Sequence, residues 1–142
     1  MKTVAQLLQL KPAGIVAIAP DAMVLEAIKL LAEKNLGAVL VMDGPRLVGL
    51  FSERDYARKV DLKGKSSANT PVSEAMTREV VSVTPAHTNE DCMALMTDKR
   101  VRHLPVVAND QVVGILSIGD LVKDVISEQQ FIISQLENYI HR

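Results

Sequence analysis

Two short stretches carry the residues whose types and spacing could do chemistry: Gly49-Leu50-Phe51-Ser52-Glu53-Arg54-Asp55 and, sixty-five positions later, Gly114-Ile115-Leu116-Ser117-Ile118-Gly119-Asp120. Each reads as the end of an apolar strand that enters a helix: Gly, two large apolar residues, Ser, two variable residues, Asp. A carboxylate fixed on the first helical turn can accept both protons of a ribose's neighbouring hydroxyls. A Ser at the N-cap leaves backbone N–H groups and the positive end of the helix dipole available to a phosphate. The same spacing is also that of a capping box, whose only duty is to close a helix end. Two copies in register, each after Gly and an apolar strand, favour the ligand reading; one copy alone would favour the cap.

Other chemistries find little support. Ser52, His103 and Asp55 make a nucleophile set on paper, but there is no Gly-x-Ser-x-Gly elbow and no assignable oxyanion donor. No Walker loop occurs, and the three His and single Cys show no metal-ligand spacing. No catalytic residue and no metal are therefore assigned, and an enzyme is not expected. With a net charge of -1, no Trp, two Tyr and two Phe, the chain lacks the charge footprint and the stacking platform of a nucleic-acid binder. The N-terminus lacks the apolar core of a secretory signal, and no apolar run approaches the ~20 residues of a membrane span. A soluble, cytoplasmic protein without nucleic-acid or membrane partners is the expectation.

The elements that must position the two stretches are themselves repeated. At the same offset Pro20, Leu30, Lys34, Val41, Val48 and Val60 match Pro85, Leu95, Lys99, Val106, Val113 and Val125, and the apolar pattern matches better than the letters do. Ile15–Ile18 and Val80–Val83 read as first strands closed by Pro20 and Pro85. Val24, Ala27, Ile28 and Leu31 give a helical period, repeated by Asn89, Cys92, Met93 and Met96. Cys92, Met93 and Met96 are expected in the core. Ala38–Met42 with Leu47–Phe51, and His103–Val107 with Val112–Leu116, read as hairpins around Asp43-Gly44-Pro45 and Asn109-Asp110. Second helices starting at Ser52 and Ser117 should bury Tyr56, Ala57 and Val60, or Leu121, Val122 and Val125.

Each unit is thus strand, helix, strand, strand, helix: an α/β (α+β) chain of two tandem repeats. The divisions expected are residues 1–62 for the first repeat with its lead-in helix, 63–70 for a polar linker, 71–126 for the second repeat, and 127–142 for a C-terminal amphipathic helix. Val4–Leu8 is echoed before the second repeat by Val72–Met76. The tail puts Ile132, Leu136, Tyr139 and Ile140 on one face, and packing on its own fold or on a second subunit both remain open.

With the duplicated Gly, Ser-x-x-Asp and the stretch Arg102-His103-Leu104-Pro105-Val106, the chain resembles a pair of CBS domains, the Bateman module, over roughly Val4 to Ile126. It looks most like the stand-alone two-repeat proteins of bacteria and plant organelles. The resemblance implies two repeats packed with pseudo-twofold symmetry, a regulatory rather than catalytic role in energy sensing, a homodimer, and control of a target protein not identified by the sequence. It implies AMP, ADP, ATP or NAD as ligand, with S-adenosylmethionine ranked behind them. Carried over by position, site one would comprise Ser52, Arg54 and Asp55 with Val81, Val83, Arg102 and His103, and site two Ser117 and Asp120 with Val16, Ile18, Gly37 and Ala38. The two differ in charge, because Gly37-Ala38 stands where the second repeat has Arg102-His103, and site one is therefore expected to hold phosphate more tightly. The alternative is a ligand-free dimerisation or scaffold module whose Ser-x-x-Asp motifs are caps only.

Overall fold

Apolar periodicity and capping chemistry account for most element boundaries in the computed structural model, which describes Met1–His141. In chain order the elements are α1 (Val4–Gln9), β1 (Ala17–Ile18), α2 (Val24–Lys34), β2 (Ala38–Asp43), β3 (Arg46–Ser52), α3 (Glu53–Asp55) with a π-helical turn (Tyr56–Asp61), α4 (Val72–Ala75), α5 (Asn89–Lys99), β4 (His103–Ala108), β5 (Gln111–Ser117) and α6 (Ile118–Ile140). The described chain divides into two compact units. One comprises residues 14–81 and 109–112, the other residues 1–13, 82–108 and 113–142; Arg142 lies outside the described residues.

In the first unit β1 pairs parallel to β2, and β2 antiparallel to β3, with Ala38 opposite Ser52 and Val41 opposite Gly49. Val39, Val41 and Phe51 of this sheet form a buried cluster with Val24, Ala27 and Leu31 of α2. Met23, the N-cap of α2, offers no side-chain cap. Backbone carbonyls of the polar stretch 63–70 take that place: Val24 N donates to Thr70 O and Leu25 N to Ser67 O, so the exposed amides of the helix start are satisfied by a polar loop. The segment after Ser52 is not the regular helix expected. Leu62 N donates to Ala57 O and Lys65 N to Val60 O; this five-residue spacing is that of a π-helix, and it turns Asp55 and Val60 inward while Ala57 stays exposed and Tyr56 half-buried.

The second unit is built around the β4–β5 hairpin with α1, α5 and α6. Its expected first strand shrinks to one rung, Val83 N to Pro105 O at 3.0 Å and Val107 N to Val83 O at 2.8 Å. The physical reason is Pro105. In the first copy Leu40 N donates to Val16 O, whereas a proline in the same slot has no N–H to offer. Cys92 and Met96 are buried as expected and Met93 is half-buried; burial, then the neighbouring Asp91, pushes the Cys92 thiol up to about 11. The C-terminal tail is not a separate helix but the continuation of the one that starts at Ser117. Of that helix Leu121 and Asp124 are buried, while Val122 is exposed rather than buried, because the apolar period continues on an outer face.

The lead-in helices are exchanged between repeats. Val4 N donates to His87 O and Ala5 N to Pro85 O, tying α1 to the second repeat. Val72 N donates to Ala22 O and Ser73 N to Pro20 O, tying α4 to the first.

Candidate functional site

Both Ser-x-x-Asp stretches sit where the sequence placed them, at the turn from a third strand into a helix, and both close a capping box. In the first unit Ser52 N donates to Asp55 Oδ2 at 3.0 Å and Asp55 N to Ser52 Oγ at 3.1 Å. Glu53 N donates to Gly37 O, so the start of β2 and the start of α3 share one edge. Asp55 is only 7% exposed. Its second oxygen is taken as well: Oδ1 accepts from Thr77 Oγ1 at 3.0 Å and pairs with Lys59 Nζ at 3.0 Å.

The second unit repeats the box with a different outer partner. Ser117 N donates to Asp120 Oδ2 at 2.8 Å and Asp120 N to Ser117 Oγ at 3.2 Å. Lys11, just past α1, donates to the same Oδ2 at 2.8 Å and to Ile115 O at 2.8 Å. Oδ1 of Asp120 accepts no hydrogen bond among the described residues, and the side chain is 25% exposed. Burial alone would raise the Asp120 carboxyl; the Lys11 ammonium and the Ser117 donors outweigh it and hold the group below the usual carboxylate value. With Lys2, Lys123 and Asp124, these two residues line a cavity of about 230 Å³.

Ile118 N donates to Arg102 O, which brings the start of β4 to the start of α6. Arg102 is exposed and His103 half-buried. Burial, then Lys11 and also Arg102, lower the His103 imidazole below its ordinary value, with Asp120 pulling the other way. Arg102 and His103 thus share a unit with Ser117 and Asp120, where the hairpin closes on its own helix start. Val83 belongs to this unit too. Ser52, Arg54, Asp55 and Val81 lie in the other, with Val16, Ile18, Gly37 and Ala38. Arg54 is exposed and makes no ion pair among the described residues.

Sequence reasoning did not single out Lys11, Thr77 or Lys59. Lys59 was readable, four positions after Asp55 on a helix. Lys11 and Thr77 follow the lead-in helices, whose exchange between repeats no local pattern records. The glycines of the motif also have a packing role. A Cβ on Gly49 would meet Thr77 O at 2.9 Å and Met76 Sδ at 2.6 Å, and one on Gly114 would meet Leu8 Cδ2 at 2.7 Å. Each is the place where a lead-in segment touches a third strand. Among the described residues no three His, Cys, Asp or Glu side chains could hold a metal ion, and no helix is long and apolar enough to cross a membrane.

The family model of the CBS domain matches the chain twice, over residues 12–61 and 72–127. The chain belongs to the CBS-domain family. Among CBS-domain relatives, the mitochondrial protein CBSX3 of Arabidopsis thaliana is 38% identical over 125 residues, 84% of this chain. This chain spans 61% of that relative's length. YhcV of Bacillus subtilis is 34% identical over 81% of each chain. A solved CBS-domain structure from Burkholderia ambifaria is 50% identical, covers 90% of this chain and 96% of its own, and superposes with a TM-score of 0.87. The two CBS repeats of the family are the two copies read from the sequence, and the fold is the α+β tandem CBS fold.

Proposed function

We propose that this chain is a regulatory module that binds an adenine nucleotide, AMP, ADP, ATP or NAD, and passes the energy state it senses to a separate partner protein while working as a homodimer. CBS domains bind adenosine-containing ligands. A protein of the same fold from Pyrobaculum aerophilum, 23% identical with a TM-score of 0.73, is complexed with AMP. The observation that carries the reading to these residues is Asp120, whose Oδ1 has no partner among the described residues while Lys11 and the half-buried His103 stand beside it at a helix start. Ribose hydroxyls donate to that oxygen, Lys11 and Arg102 supply the positive charge that a phosphate needs, and a bound phosphate favours protonation of His103. Asp120 and Lys11, but neither Arg102 nor His103, line a cavity of about 230 Å³, below the roughly 300–1,000 Å³ typical of ligand pockets, so it takes only part of a nucleotide. The module is regulatory and no residue is assigned to catalysis.

The cap-only reading is favoured at one place, Asp55, because both of its oxygens are committed to protein donors. The proposal therefore rests on the second junction. Calorimetric titration of AMP and adenosine into the parent, Asp120→Ala and Arg102→Ala tests it. Hydrogen bonds to charged groups are worth about 1.5–3 kcal/mol, so Asp120→Ala should weaken both ligands by roughly ten- to a hundredfold. Arg102→Ala should weaken AMP more than adenosine. No binding of AMP, ATP or NAD by the folded parent would leave only a scaffold.

A further inference from the structure

We propose that Lys11 makes this site selective for phosphate-bearing ligands: its ammonium blocks the Asp120 carboxylate and leaves when a phosphate takes it. This rests on the nucleotide reading above and adds a means of regulation to it. Asp120 Oδ2 accepts from Ser117 N and from Lys11 Nζ, both at 2.8 Å, and two donors fill the lone pairs of that oxygen. A ribose diol that puts one hydroxyl on each carboxylate oxygen therefore meets an open Oδ1 and a filled Oδ2. The Ser117 amide is fixed in the capping box. Lys11 is the donor that can go.

The two repeats differ in how the lead-in segment is fastened to the third strand. Leu50 on β3 and Ile115 on β5 occupy equivalent places, sixty-five positions apart. At Leu50 the fastening is backbone to backbone: Leu50 N donates to Thr77 O and Thr77 N to Leu50 O. At Ile115 the carbonyl is taken by the Lys11 side chain at 2.8 Å, so rotation of one side chain undoes what at Leu50 would need a backbone shift. Little else holds the segment. Every residue from Gln9 to Ile15 is exposed except Lys11, which is half-buried. The Leu10 and Lys11 amides bond back to Leu7 O and Leu8 O within the lead-in helix. Among the described residues the Lys11 ammonium is the one hydrogen-bonded tie from residues 9–13 to β5 and α6.

Charge decides which ligand releases that tie. A neutral nucleoside that claims both oxygens of Asp120 must break the Lys11 pair and offers the ammonium no anion in return. A phosphate does offer one, in charge-assisted hydrogen bonds. The ammonium passes from one anion to another, and the carboxylate it leaves gains the two hydroxyls.

Calorimetric titration of AMP and of adenosine into the full-length parent, Lys11→Met and Lys11→Arg tests the assignment, together with residue-resolved amide hydrogen exchange. Met keeps the apolar stem of Lys11 without its charge, so circular dichroism should show the variant folded. In Lys11→Met adenosine should bind more tightly, by up to about fivefold, because no partly exposed ion pair has to be broken. The preference for AMP over adenosine should shrink by roughly ten- to a hundredfold, because the phosphate loses a charged donor. Lys11→Arg, which keeps the charge, should retain the preference. The Leu10 and Lys11 amides should lose protection in the ligand-free Lys11→Met variant, and in the parent when AMP saturates it. Adenosine that binds Lys11→Met no better than the parent, or amides that stay protected in either case, overturns the blocking role of Lys11 and leaves the nucleotide reading standing. A folded parent that binds no AMP, ATP or NAD overturns both.

Discussion

The two Ser-x-x-Asp junctions have one motif and one capping box, yet they differ in what holds the outer side of the carboxylate. At Asp55, Thr77 and Lys59 take the oxygen that the cap leaves over. At Asp120, Lys11 joins the oxygen already capped, and the other has no donor among the described residues. The duplicated part is therefore the helix start. The outer partner that differs, Thr77 at one junction and Lys11 at the other, lies outside the motif and follows a lead-in helix.

The comparison breaks most sharply at the carboxylates themselves. Asp55→Ala leaves Ser52 N, the Thr77 hydroxyl and Lys59 without their acceptor, and should lower stability by about 2–3 kcal/mol in urea denaturation with nucleotide affinity unchanged. Asp120→Ala should do the reverse, a small loss of stability with the affinity loss given above. Equal effects at both sites would mean that the junctions have one role.

The motif glycines give a finer contrast. At Gly49 the added methyl meets the Thr77 carbonyl, which cannot retreat because Thr77 and Leu50 exchange two backbone hydrogen bonds. Gly49→Ala should therefore cost about 1–3 kcal/mol, as overpacking does. At Gly114 the obstacle is the end of the Leu8 side chain, which rotates, so Gly114→Ala should cost less. Thermal melts of the two variants decide between them.

The smallest effect is on pH dependence. The folded state holds His103 below its ordinary value of 6.5, so the unfolded chain binds the proton more readily. Stability should then fall as pH drops below 6.5 towards the lowered value. His103→Gln should flatten that part of the curve. A bound phosphate favours the protonated ring, so AMP affinity in the parent should rise over the same fall in pH. The first junction has Ala38 in this slot and adds no such slope.

Most of the fold was legible in the sequence because apolar periods and turn residues are local. Both hairpins end within a residue or two of where Gly44-Pro45 and Asn109-Asp110 put their turns. The capping boxes were legible for the same reason. Three features were not. The π-helical turn after Asp55 is a change of hydrogen-bond spacing that apolar periodicity does not announce. The contact between the start of β4 and the start of α6 follows from a hairpin closing on its own helix. Lys11 and Thr77 reach their carboxylates through an exchange of segments distant in sequence.

That exchange means that the unit of duplication is not the unit of folding. A chain severed between residues 63 and 70 would give a front half carrying α1, whose backbone bonds are to His87 and Pro85, and lacking α4, which its own Pro20 and Ala22 hold. Neither fragment should fold by itself, whereas mixing the two should restore the fold. An ancestor with a single copy would have had to find its missing helix on another molecule.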